Sequence, residues 1–208
     1  KEYRRQRQMC IRDSDALTSE HVLATLRKEA LIKVILLQAE SNLSAAEAAM
    51  TYAKEKGVPS IFNPAPINHN VTPQLLQLAD CITPNETECA FLVSHITGRP
   101  FKEDVTKLSD DSLREVCAHL PTSTILVTVG SAGTILYQKG APHPKLKGVK
   151  QGEIIRTPAI KVSPIDTTGA GDAFNGGLAA GLVTFDGDMQ RAIKYGTVVA
   201  GLSTERLG

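Results

Sequence analysis

Apolar residues recur at Val22, Leu23, Leu26 and Ala30, the spacing of one helix face, which predicts a helix opening at Ser19 and capped by Thr18 or Ser19. Residues 31–37 are apolar apart from Lys33, which predicts a strand at the centre of a parallel sheet, covered on both faces. "NLSAAEAAMTYAKEKG" predicts a helix over about 44–56, closed by Gly57 at the usual C-terminal position. "PSIFN" then reads as a strand, "TPQLLQLAD" as a short helix, "CIT" as a strand end and "NETECAFLVSHITG" as a helix entered at Asn85. Residues 123–130 form the clearest strand, and "GTILYQ" after the "GSAG" turn is its hairpin partner. A Pro/Gly-rich basic loop over 139–150, one or two strands in "EIIRTPAIKVSPI" and a last helix over about 188–205 complete the chain. Strand alternating with helix predicts an α/β fold with right-handed crossovers and no domain boundary after Ala16.

"IDTTGAGDAFNGGLAAGL" breaks this regularity. Gly176, Gly177 and Gly181 lie inside its helical part, where each costs about 1 kcal/mol relative to alanine, so close packing or a close ligand is expected there. Ahead of them, a strand end turns through Gly169, Ala170 and Gly171 into a helix, which aims unpaired amides and the positive end of the helix dipole at one point. Such a point attracts a phosphate. Asp172 beside it is electrostatically wrong for binding alone, but suits a general base that takes a proton from an attacking hydroxyl. The chain holds no G-x-x-x-x-G-K-[ST], and Phe174 stands where a dinucleotide fingerprint would need its third glycine. The plainer alternative is a tight turn followed by a closely packed helix.

In "TPNETE", Asn85 and Glu88 share nearly one helix face, suiting one metal-and-phosphate site, although the same spacing describes an N-terminal capping box. "TVGSAG" leaves a strand's carboxyl end, where open α/β sheets bind ligands, or is simply a hairpin turn. Glu40 also follows a strand end, as a ligand to a polar substrate or as a surface acid.

The formal net charge is +1 with no long basic run in a chain of 208 residues, which argues against nucleic acid or an anionic membrane as partner. No apolar run approaches membrane-spanning length, and a cytoplasmic protein is expected. Cys10, Cys81, Cys89 and Cys117 show no metal or redox spacing, and the five histidines are scattered singly, as surface or packing residues are. Residues 1–14, "KEYRRQRQMCIRDS", are basic and aperiodic; "MCIRDS" resembles a translated transposon-end adapter of DNA library preparation, so a non-native leader is expected ahead of a domain over 15–208.

"DTTGAGDAFNGGL" resembles the C-terminal signature of the PfkB carbohydrate kinase family. "LLQAE", "NPAP", "TPNETE" and "VTVGSAG" in the same order make residues 31–208 similar to its ribokinase branch. The resemblance implies a ribokinase-like three-layer α/β/α sandwich with a mostly parallel sheet, truncated at both ends. It implies ATP-dependent phosphorylation of D-ribose, with Asp172 as base and Gly169, Ala170 and Gly171 as anion hole. Asn85 and Glu88 match the pair that holds the nucleotide phosphates and, through water, Mg2+. Thr128, Gly130, Ser131 and Gly133 match the segment beside the nucleotide, and Thr197 the helix flanking adenine. Asp166 and Thr168 match part of a K+ site, and Glu40 the acid that holds ribose. Fructokinase, deoxyribose kinase, nucleoside kinase and a non-catalytic nucleotide-binding module are the other readings. The family's N-terminal sugar-gripping strand and its lid, which supplies a homodimer contact, have no counterpart here, so weak or no activity is expected of this chain alone.

Overall fold

The computed structural model describes residues 16–207. In chain order the elements are α1 (Ser19–Lys28), β1 (Ile35–Gln38), α2 (Leu43–Lys56), β2 (Ser60–Asn63), α3 (Pro73–Leu78), β3 (Cys81–Ile82), α4 (Glu86–Thr97), α5 (Asp110–Ala118), β4 (Thr124–Thr128), β5 (Thr134–Gln138), β6 (Ile154–Thr157), α6 (Ala170–Thr184) and α7 (Met189–Ser203). The strands form one sheet in the order β1-β2-β3-β4-β5-β6. β1 to β4 pair in parallel, and β4, β5 and β6 pair antiparallel. The expected mostly parallel α/β sandwich is present.

Two-residue alternation along the strands feeds two cores. Phe62, Ile82, Ile125, Val127 and Ile135 point to one face, where Met50 of α2, Leu76 of α3, Leu92 of α4 and Leu113 of α5 cover them. Ile61, Cys81, Leu126 and Leu136 point to the other, under Phe174 and Leu178 of α6 and Ile193 of α7. Each fully buried Leu, Ile or Phe contributes about 1.5–3 kcal/mol relative to exposure.

Several elements differ from the sequence reading. β1 is an edge strand among the described residues, paired only with β2, and Ile35 alone of its four residues is buried. An apolar run reports the residues' character, whereas edge or centre depends on which strands pair. α1 buries no residue and ends before Ala30; Val22 and Leu26 are only partly buried, against the cluster of Ile35, Ala49, Ala53 and Val58. "EIIRTPAIKVSPI", by contrast, agrees with its reading as one or two strands and holds one, β6. α5, which the pattern reading passes over, is capped by Ser109 and buries Leu113 and Cys117.

Two of the three interior glycines of α6 serve packing. A Cβ on Gly177 would stand 2.8 Å from the Gly196 Cα, and one on Gly181 would stand 2.8 Å from the Ala192 Cα, so α6 and α7 lie nearly backbone to backbone. Gly176 differs, with nothing within 4 Å of its missing Cβ.

Candidate functional site

The parallel strands end in a row of polar residues. β1 ends at Gln38 and β2 at Asn63; β3 leads through Thr83 to Asn85, and β4 ends at Thr128. Asn63 is buried and donates its amide to the Thr83 carbonyl at 2.6 Å. The Gln38 side chain reaches the Asn63 Oδ1 at 3.5 Å and donates to the Asp172 Oδ1 at 2.5 Å, a charge-assisted contact joining the edge of the sheet to the start of α6. Asn85 and Thr128 form a parallel bridge, with the Thr128 N–H donating to the Pro84 carbonyl at 3.0 Å. The row thus sets Asn85 beside Thr128 at the ends of β3 and β4, and Asp172 at its other end, on Gln38 of β1.

At the start of α6, Gly169 takes the left-handed conformation, φ 74°, and no side chain caps the helix. The Ala170 N–H turns back to the Thr167 carbonyl at 3.2 Å, so the amides of Gly171 and Asp172 are those a helix start leaves for an outside acceptor. Asp166 accepts from the Thr168 N–H at 2.9 Å. The N–H groups of Ile165 and Asp166 donate to the Thr204 carbonyl at 2.7 and 3.0 Å, so the end of α7 holds this loop in place.

Gln38, Glu40, Ser41, Asp172, Asn175 and Gly176 line a groove of about 410 Å³. Glu40 and Asp172 therefore face one space, and Gly176, open where its Cβ would be, widens it. The Asn175 Oδ1 is buried beside it without a hydrogen-bond partner. A larger cleft, about 670 Å³ between α1 and α2, holds none of the residues picked from sequence.

Asn85 and Glu88 form a full capping box: the Glu88 N–H donates to the Asn85 Oδ1 and the Asn85 N–H to the Glu88 Oε2, each at 2.8 Å. Both sequence readings of this pair therefore remain physically compatible, because the cap presents the Glu88 carboxylate at the helix start. Burial pushes that carboxyl's pKa up, the Asn85 N–H opposes the shift, and the Glu86 charge adds to it. A nearby cation would favour the ionised form.

Gly130 and Ser131 are exposed on the short turn between β4 and β5, whereas Gly133 is buried against β6 and its neighbours. Thr197 is buried, and its hydroxyl donates to the Ile193 carbonyl at 2.9 Å within α7. Gln38, Asn63 and Thr83 were not singled out from sequence. The available signal was a polar residue closing each apolar strand run, at the sheet edge where α/β proteins bind ligands.

The family described as pfkB family carbohydrate kinase matches residues 3–208. Residues 1–14, read above as a leader, lie outside the described residues. A Haemophilus influenzae ribokinase is 33% identical over 174 residues, covering 84% of this chain and 50% of the relative. A Thermotoga maritima ribokinase structure superposes with TM-score 0.70 at 28% identity, covering 94% of this chain and 57% of that one. An Arabidopsis thaliana ribokinase solved with ribose and ATP gives 0.65 at 25% identity, covering 85% and 51%. The chain spans about half the length of the curated relatives it matches. With its carboxyl-edge row, its glycine turn and a family match over nearly its whole length, the chain belongs to the pfkB family of carbohydrate kinases.

Proposed function

We propose that the chain forms the nucleotide side of an ATP-dependent sugar kinase that transfers the γ-phosphoryl group to the primary hydroxyl of D-ribose, giving D-ribose 5-phosphate and ADP. The observation that carries this reading is the position of Asp172. It stands at the uncapped start of α6, is held by Gln38, and shares its groove with Glu40.

In this reading Glu40 holds sugar hydroxyls and the Gln38 amide fixes the Asp172 Oδ1, leaving Oδ2 to accept the hydroxyl proton. The sugar oxygen forms its bond to the γ-phosphorus as the bond to the bridging oxygen breaks and ADP leaves. The amides of Gly171 and Asp172 face the charge on the phosphoryl oxygens. Positioning and neutralisation supply most of the rate in such transfers. In the same reading Asn85, Thr128 at the end of β4 and the exposed Gly130 and Ser131 of the following turn serve the nucleotide, with Gly133 behind them, and the buried Thr197 of α7 backs the adenine side.

Among the described residues no group of three or more His, Cys, Asp or Glu could hold a metal. Nucleotide-bound Mg2+ needs only one or two carboxylates besides phosphate and water, and the partly desolvated Glu88 carboxylate fits that demand. Asp166 and Thr168 offer oxygen donors for K+ beside the same turn. When bound, these cations neutralise phosphate charge and order the turn. A cytoplasmic location belongs to the same proposal, as does a homodimer for a parent kinase that carries the lid; among the described residues no helix is long and apolar enough to cross a membrane.

The test is a coupled ADP-release assay on this chain with Mg2+, K+ and a panel of D-ribose, 2-deoxyribose and fructose. D-ribose is expected to give the highest kcat/KM. A preference for another sugar moves the chain to another kinase of the family. Nucleotide binding with little or no sugar-dependent ADP would match the weak activity expected of this chain alone, whereas failure to bind nucleotide at all would contradict the reading.

A further inference from the structure

His69 and His95 stand 26 residues apart in sequence, yet their Nδ1 atoms face each other at 3.4 Å. Both side chains are exposed. The contact can be a long N–H···N hydrogen bond, with the donor set by the tautomers, just beyond the usual range of about 2.7–3.2 Å. The separation also matches a metal chelate. With zinc–nitrogen bonds of about 2.0–2.1 Å, two ligands of a tetrahedral ion lie about 3.3 Å apart. Two ligands at a right angle, as in square-planar copper or nickel or in octahedral ions, would lie about 2.9 Å apart.

The surroundings favour a cation there. His95 lies in the last turn of α4, where the helix dipole places its negative end. His69 is presented by a braced turn: the Asn70 N–H donates to the Asn68 Oδ1 at 2.8 Å, and the Val71 N–H to the Asn68 carbonyl at 3.2 Å. The Phe91 ring lies against both imidazoles, with centroids 5.2 and 5.8 Å away, shielding one side of the pair from water. These contacts hold the two nitrogens in place before any ion arrives, which reduces the ordering cost of binding.

We propose that His69 and His95 form a two-histidine site for Zn2+, with water completing the tetrahedron, that ties the β2–α3 turn to the last turn of α4. The site lies apart from the kinase groove: α4 packs on the face of the sheet opposite α6, which carries Asp172. It is independent of the kinase reading and needs no nucleotide.

The experiment is isothermal titration of this chain with zinc chloride, alone and in excess Mg2+, for wild type, His69→Ala and His95→Ala. Circular dichroism confirms that each variant folds. One saturable zinc site is expected in wild type, unaffected by Mg2+ and at least about 10-fold weaker in each variant, because one imidazole then remains. Zinc also raises the wild-type Tm, and raises the Tm of both variants by less. If either variant unfolds, His69→Asn and His95→Asn take its place. No saturable binding in wild type, or equal affinity in the variants, would overturn the proposal; the second result would place zinc elsewhere, for example on Cys10.

Discussion

Asp172→Asn is expected to lower sugar-dependent ADP formation by about 10²- to 10⁴-fold, the usual contribution of a positioned general base. The substitution keeps the shape of the side chain, and its amide oxygen still accepts from the Gln38 amide 2.5 Å away. It removes the basic oxygen that takes the hydroxyl proton. Affinity for the Mg2+ complex of ATP should stay level or tighten, since a negative charge beside the phosphate site is gone. Measuring both quantities on the same preparation separates the roles. Loss of turnover with nucleotide binding retained supports a base, whereas parallel loss of both would make Asp172 a structural residue of the turn.

Gly133→Ala is expected to destabilise the fold by about 3 kcal/mol or more, a fall in Tm of roughly 6–12 °C for a chain of this size. Gly133 has φ 97°, and a Cβ there would stand 2.0 Å from the Thr157 carbonyl oxygen, 2.6 Å from the Ala159 nitrogen and 2.7 Å from the Pro158 carbonyl carbon. All three are backbone atoms, so no rotamer change relieves the clash; either β6 moves away or the β4–β5 turn opens. Gly130, three residues earlier, provides the control. It also has a positive φ, 52°, but nothing lies within 4 Å of its missing Cβ, so Gly130→Ala should cost only about 1–2 kcal/mol of backbone strain. Thermal unfolding of the two variants side by side checks the difference. Equal shifts would mean that conformation alone, and not contact with β6, requires glycine at Gly133.

The local chemistry of the chain was legible wherever it is decided locally. Gly57 ends α2 in the left-handed conformation at φ 59°, and Asn85 opens α4, both as the sequence requires. The turn at Gly169 and the acid at Asp172 stood out because glycines followed by a carboxylate have few other uses. What escaped depends on pairings between distant segments. β1 reads as a central strand from composition, yet it lies at the sheet edge among the described residues. Gln38 gains its meaning only when α6 crosses the end of β1, 134 residues later. His69 and His95 look solitary until the β2–α3 turn folds down to the end of α4. α5 is a different case: its apolar residues Leu113, Val116 and Cys117 carried the helical spacing, but the polar "SDDS" ahead of them masked it.

That the turn entering α6 receives the phosphate is the central claim, and Gly171→Asp tests it most directly. No atom lies within 4 Å of the Cβ this substitution adds, and an acidic residue in a helix's first turn is favourable, so the Tm should hold or rise slightly. The new carboxylate would stand where the phosphate charge is meant to sit, and like charges brought together cost several kcal/mol. Isothermal titration with the Mg2+ complex of ATP should therefore show saturable binding to wild type and binding about 100-fold weaker, or worse, to Gly171→Asp. Equal affinity in the two, or no saturable binding to wild type, would contradict the account and leave the glycines of this turn with a structural role alone.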